Sequence, residues 1–135
     1  MAEAPLKKIL YVEDDPDIQM MAKIALETVG GYTLTVCSSG TEALSLGEAF
    51  APDLILLDVM MPEMDGPTTL SRLRELPGLA DTPAVFMTAK VMPSDLSSYK
   101  KMGAVDIVPK PFDPMTLSSQ LHEIWVAAQS GGAES

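Results

Sequence analysis

The stretch Asp53-Leu-Ile-Leu-Leu-Asp58-Val-Met-Met-Pro62-Glu-Met-Asp-Gly66 decides the fold. Residues 54–57 are apolar with no polar alternation, the pattern of a strand covered on both faces, as in a parallel sheet flanked by helices. The run stops on a carboxylate, Asp58. A loop with Pro62 and Gly66 follows, and then a helical pattern begins. Open α/β sheets place their ligand sites beyond the carboxyl ends of the strands. Asp58 is therefore the first candidate functional residue.

Outward from that stretch, strands alternate with helices. Residues 8–12 read as a buried strand ending in the acids Glu13, Asp14 and Asp15. Asp15 is placed to cap a helix with Pro16 at its first position. Ile18, Met21, Ala22, Ala25, Leu26 and Val29 give that helix an apolar face, and Gly30-Gly31 stops it. Residues 32–37 are a β-branched-rich strand. Ser39-Gly-Thr-Glu42 is a capping box that opens a helix through about Phe50. Residues 66–76 form the next helix, with Leu70, Leu73 and Leu76 inward. A strand follows over 83–87 and a weakly amphipathic helix over 93–102. The last strand covers 104–108, and a helix entered at Asp113-Pro114 runs to about Ala128. Residues 130–135 read as a flexible tail, leaving a single domain over 1–135 with its core at about 7–128. Five strands and five flanking helices imply an α/β, doubly wound parallel sheet. Alternation alone leaves the strand order open.

Composition narrows the function. The chain has 135 residues, 47% of them hydrophobic, which suits a compact fold with its own core. No apolar run approaches the roughly 20 residues of a membrane span, and the N-terminus lacks the apolar stretch of a signal peptide. A cytoplasmic setting without membrane insertion is expected. One cysteine and one histidine exclude an intrachain disulfide, Cys-based zinc sites and multi-histidine metal sites. Cys37 is expected as a small buried hydrophobe and His122 as a surface residue. The methionines 20, 21, 60, 61 and 64 are expected in core and loop packing. A net charge of −10 argues against direct nucleic-acid binding and suits a cation or a basic partner.

In a parallel sheet all strand ends lie on one edge. The first strand brings Glu13, Asp14 and Asp15 there, the third Asp58, the fourth Thr88 and the fifth Lys110. Carboxylates so crowded repel one another, and a cation is expected to offset them. Oxygen ligands without His or Cys favour Mg2+. Asp58 can then act as a nucleophile toward a phosphoryl group, whose peripheral oxygens Mg2+, Lys110 and Thr88 would bind. The product, an acyl phosphate, adds close to two negative charges.

These residues resemble the receiver domain of two-component response regulators, in its stand-alone, chemotaxis-regulator-like form. The resemblance rests on Glu13-Asp14, on Leu56-Leu-Asp58-Val-Met-Met-Pro62-Glu-Met-Asp-Gly66, on Met87-Thr88-Ala89-Lys90 and on Lys110-Pro111-Phe112. Each motif alone is weak. In order, each at a strand end, they are specific. The resemblance implies a flavodoxin-like sheet of order 2-1-3-4-5 and Asp58 as phosphoacceptor. It also implies Asp14 and Asp58 as direct Mg2+ ligands, Glu13 acting through water, and the Met60 backbone carbonyl as a further ligand. A cis Lys110–Pro111 bond follows from the same likeness. So do the partners: a histidine kinase or histidine phosphotransfer protein as donor and a downstream protein as target.

Three positions depart from, or qualify, the resemblance. Ile107 stands where the family often carries a switching Tyr or Phe beside Thr88. Met60 and Lys90 occupy positions that tune hydrolysis in this family, and neither can orient an attacking water. A long-lived phosphoryl group is expected. The competing readings are a pseudo-receiver that binds partners without phosphorylation and a phosphatase of the haloacid dehalogenase type. The second needs an acid where Met60 stands. A flavin-binding domain would want a Ser/Thr/Gly-rich loop where Glu13-Asp14-Asp15 lies.

Overall fold

The computed structural model describes residues 6–89 and 92–134. Among them, β1 (Lys8–Val12), β2 (Thr33–Cys37), β3 (Leu54–Asp58), β4 (Ala84–Thr88) and β5 (Asp106–Pro109) form one sheet. Its order is β2-β1-β3-β4-β5, and every neighbouring pair is parallel. The helices are α1 (Pro16–Lys23), α2 (Gly40–Phe50), α3 (Gly66–Leu73), α4 (Pro93–Lys101) and α5 (Leu117–Glu134). The doubly wound sheet and its order are as the sequence and the resemblance implied.

Strand alternation sorts the side chains into two cores. Leu10, Val12, Ile55, Leu57, Ala84, Phe86 and Ile107 face α2, α3 and α4, meeting Ala43, Leu70, Leu73 and Tyr99. Ile9, Tyr11, Leu54, Leu56, Val85, Met87 and Val108 face α1 and α5, meeting Ala22, Leu26, Leu117, Leu121 and Trp125. All four residues of the 54–57 run are fully buried, two per face. At about 1.5–3 kcal/mol for each large side chain, β3 is the element both layers anchor on.

Several local features differ from the sequence reading. α1 runs directly into a π-helical segment, Ile24–Val29, in which the Gly30 N–H donates to the Ala25 carbonyl five residues back, at 3.1 Å. The wider turn rotates the end of the helix off its apolar stripe. Ala22, Ala25 and Leu26 are buried, but Val29 is 45% exposed and Met21 43%. Met21 lies at the stripe's edge, where it lines a small cleft with Ile18, Lys110, Pro111 and Phe112. Gly31, at φ 76°, ends the helix as expected. Asp15 caps α1, its Oδ1 accepting from the Asp17 N–H at 2.9 Å. Ser39 Oγ likewise accepts from the Glu42 N–H at 3.1 Å. The return bond of that box is shifted by one residue, because Glu42 Oε1 accepts from the Ser38 N–H at 2.6 Å. Asp113 binds the Met115 N–H at 2.9 Å and holds a turn, so the helix proper starts at Leu117 rather than at Pro114. α5 then continues to Glu134 through the stretch expected as a tail. After Pro114 the sequence has no proline to stop it.

The loop after β3 holds the tightest backbone approach. The Gly66 N–H donates to the Val59 carbonyl at 3.0 Å. A Cβ at residue 66 would lie 2.5 Å from the Asp58 carbonyl oxygen and 3.0 Å from Val59 Cα. Those are backbone atoms of the strand end, so they cannot swing aside. Gly66→Ala should cost about 1–3 kcal/mol, as overpacking does. Thermal melting followed by circular dichroism will show this as a fall of several degrees. An unchanged melting temperature would mean the loop yields freely.

Candidate functional site

Asp58 and Thr88 are the last residues of their strands, and Glu13, Asp14 and Lys110 sit one or two positions past theirs, held by extensions of the sheet's own hydrogen bonding. The Glu13 N–H donates to the Cys37 carbonyl at 2.9 Å, the Val59 N–H to Met87 at 3.1 Å, and the Lys110 N–H to Thr88 at 2.9 Å. Asp58 is the last residue of β3 and pairs with Met87 of β4, one residue before Thr88. The sheet thus sets the spacing of Glu13, Asp58, Thr88 and Lys110 before any side chain is considered.

Glu13 and Asp58 are buried, at 1% and 3% exposure, while Asp14 is exposed. One carboxylate oxygen from each of the three lies within 4.8 Å of the others. Lys110 Nζ is 3.2 Å from Glu13 Oε1 and 3.3 Å from Asp58 Oδ1, a single ammonium shared by two buried acids. The Lys110–Pro111 bond is cis. Thr88 is buried at 2%. The Met60 side chain is 66% exposed. Ile107 is buried against the core that holds Phe86 and Tyr99, whose rings meet edge to face at 5.5 Å. Lys90 lies outside the described residues.

The electrostatics are those of an undercompensated acidic cluster. Burial, and then the neighbouring Asp58, push the Glu13 carboxyl up to about 7, although the Asp15 N–H and Lys110 pull the other way. Burial would by itself lower Lys110, yet Asp58 and Glu13 together hold its ammonium above the ordinary lysine value. Among the described residues, three carboxylates face one ammonium, and all the donor atoms are oxygens. That set fits a hard divalent cation that keeps some of its waters. The Glu13 shift also gives a pH dependence. The folded state holds the Glu13 proton more tightly than the unfolded chain, whose value is near 4.5. The resulting stability is full below 4.5 and is lost as pH rises through about 7. In EDTA, the melting temperature of Glu13→Gln relative to wild type should therefore climb across that window. A constant difference would remove the account of Glu13.

Other residues resolve more simply. Cys37 is fully buried, and burial and then Glu42 push its thiol up to about 12. His122 is exposed on α5. Of the five methionines expected in packing, Met61 is buried and Met64 half-buried, but Met20, Met21 and Met60 are exposed. Met20 lies on the outer side of α1, Met21 at the edge of its apolar stripe, and Met60 in a loop. One contact escaped the sequence reading. Tyr11, fully buried in β1, donates its hydroxyl to Glu13 Oε1 at 3.4 Å. The two-residue spacing along a strand, which puts both on one face, was the available signal.

The family model described as response regulator receiver domain matches residues 9–122. The chain belongs to that family. Chemotaxis protein CheY4 of Vibrio cholerae superposes on this receiver domain with a TM-score of 0.82 at 30% identity, covering 88% of this chain and 98% of that one. The receiver domain of sensor histidine kinase PA1611 from Pseudomonas aeruginosa has a TM-score of 0.77 at 27% identity, over 92% and 99% of the two chains. That protein was solved with a magnesium ion coordinated in its active-site cleft. Among curated proteins, an uncharacterised 14.6 kDa protein of Leptolyngbya boryana is 41% identical over 81% of this chain and 82% of its own length. Response regulator Rre1 of Synechocystis is 31% identical over 94% of this receiver domain. The match spans only 56% of Rre1.

Proposed function

We propose that this receiver domain accepts a phosphoryl group on Asp58, in a reaction that requires Mg2+, and passes the signal on as an altered surface. The observation that carries the reading is the shared ammonium. Lys110 Nζ bridges Asp58 and Glu13 while the carboxylate oxygens of Glu13, Asp14 and Asp58 crowd within 4.8 Å. Asp14 and Asp58 would hold Mg2+ directly, the Met60 carbonyl would add a ligand, and Glu13 would act through water. Bound there, Mg2+ supplies positive charge to the peripheral phosphoryl oxygens and relieves the repulsion among the acids.

The chain's own residues do the rest. An Asp58 carboxylate oxygen attacks phosphorus as the donor's P–N bond breaks, and the imidazole nitrogen leaves with the bonding pair. Lys110, already beside Asp58 Oδ1, follows the charge onto the phosphoryl oxygens. Thr88, at the adjacent strand end, offers a hydroxyl to the same group. The chemistry is confined to the domain itself, so it is a signalling module rather than an enzyme acting on other substrates. A phosphohistidine of a histidine kinase or phosphotransfer protein is the donor, and a downstream protein, not nucleic acid, reads the result. No helix among the described residues is long and apolar enough to cross a membrane. We assign the domain to the cytoplasm with its donor.

Intact mass spectrometry after incubation with acetyl phosphate or phosphoramidate and Mg2+ tests this reading. The expected result is one added phosphoryl group, absent in EDTA. No gain from either donor would favour a pseudo-receiver. The lifetime of the product is a separate prediction. Met60, two residues after Asp58, carries an exposed thioether, a group that cannot orient a water. Replacing Met60 with Asn should accelerate loss of the phosphoryl group severalfold, measured as decay of the phosphorylated mass after donor removal. Equal decay rates would separate lifetime from this position.

A further inference from the structure

The metal and phosphoryl chemistry makes no use of the Tyr11 hydroxyl, a polar group on a fully buried side chain of β1. We propose that Tyr11 is a positioning residue of the acidic site, holding Glu13 from beneath so that its carboxylate stays aimed at the metal's water shell. The inference rests on the Mg2+ reading above and adds a residue that the site motifs do not contain.

Tyr11 is the third residue of the Ile9–Glu13 row whose odd members share the face toward α1 and α5. Its ring is fully buried among Ile9, Ala22, Leu56 and Met87, an apolar setting in which a hydroxyl needs a partner. The partner is Glu13 Oε1, at 3.4 Å. The same oxygen takes Lys110 Nζ at 3.2 Å, and Glu13 Oε2 takes the Asp15 N–H at 3.2 Å. Both Glu13 oxygens are thus held, one from below by Tyr11 and from the side by Lys110, the other by the backbone entering α1. These bonds orient Glu13 beside Asp14 and Asp58, within 4.8 Å, which suits a ligand acting through water. Lys110, anchored on Oε1, is kept beside Asp58 Oδ1.

Partners behind a metal ligand cost about 10- to 100-fold in metal affinity when removed. The long Tyr11 bond, sharing its acceptor with Lys110, places it at the lower end. Tyr11→Phe keeps the ring and its packing and removes only the hydroxyl. The expected result is a Mg2+ Kd about tenfold weaker, measured by isothermal titration, with the melting temperature in EDTA within a degree or two of wild type. Initial phosphorylation rates from phosphoramidate should need more Mg2+ to reach half-maximum, yet recover to within about twofold of wild type at saturation. Tyr99→Phe, which removes a hydroxyl from a buried ring on the other face, should leave both Mg2+ measurements unchanged. If wild type binds Mg2+ and Tyr11→Phe binds it equally well, the positioning role is overturned while the metal site stands. If wild type binds none, the metal reading itself fails and this role goes with it. A loss of rate at saturating Mg2+ without a change in Kd would also overturn it.

Discussion

Asp58→Asn protein will take up no phosphoryl group from any donor, and in EDTA it will melt above wild type. The two effects have one cause. Asp58 is 3% exposed and faces Glu13 and Asp14, and among the described residues Lys110 alone pairs with these carboxylates. The amide keeps the shape of the side chain and removes both the nucleophile and one of the mutually repelling charges. Lys110 then pairs with Glu13 alone. Mg2+ should reverse the order of the two proteins. A cation that binds only the folded state adds about 2.7 kcal/mol when present at 100 times its Kd. Wild type will gain this and the variant far less, because a direct ligand charge is gone. Melting curves with and without Mg2+, read beside intact mass, check all three statements. A variant that melts below wild type in EDTA would show that Asp58 is held by its partners rather than strained by its neighbours.

Lys110→Met should move binding and chemistry in opposite directions. The ammonium lies 3.2 Å from Glu13 Oε1 and 3.3 Å from Asp58 Oδ1. Removing it takes away the cation that the described residues place in the acidic cluster, so Mg2+ should bind severalfold tighter. The phosphoryl group loses a positioned donor at the oxygens where charge gathers. Such donors are worth about 2.7–4 kcal/mol, or 100- to 1,000-fold in rate. Phosphorylation at saturating Mg2+ should slow by about that factor. In EDTA the variant should also be less stable, because two buried carboxylates lose their counterion. Titration calorimetry and initial rates measured on one preparation settle the pair of signs. Weaker Mg2+ binding together with a slower rate would mean that Lys110 supports the structure of the site rather than its chemistry.

The parts of this molecule that follow from strong local patterns were legible in the sequence. The 54–57 run suited a strand buried on both faces, as in a parallel sheet, and Asp15 and Ser39 cap their helices as their spacing required. The convergence of Glu13, Asp14, Asp58, Thr88 and Lys110 followed from a sheet whose strands all end on one edge. What escaped the reading depends on small backbone adjustments. A period of 3.6 places Val29 on the same stripe as Leu26, and nothing in residues 24–29 announces the wider π turn that exposes it. Asp113-Pro114 carries a helix-start signature, but the chain spends one more turn before Leu117. Glu63 takes φ 69° while the Met64 N–H donates to the Pro62 carbonyl at 2.7 Å, a tight turn that composition does not distinguish from a wider loop. Tyr11 was hidden for a different reason. In a buried strand it counts as one more apolar ring, and its hydroxyl matters only because Glu13 stands two residues on.

The claim that Asp58 receives the phosphoryl group is tested most directly by trapping it in place. Protein treated with phosphoramidate and Mg2+, then reduced with borohydride, converts an acyl-phosphate aspartate into homoserine, which tandem mass spectrometry of the peptides locates. Homoserine is expected at position 58 and at no other carboxylate, and none when EDTA is present. Homoserine at position 14 instead, or none in protein exposed to donor and Mg2+, would contradict it.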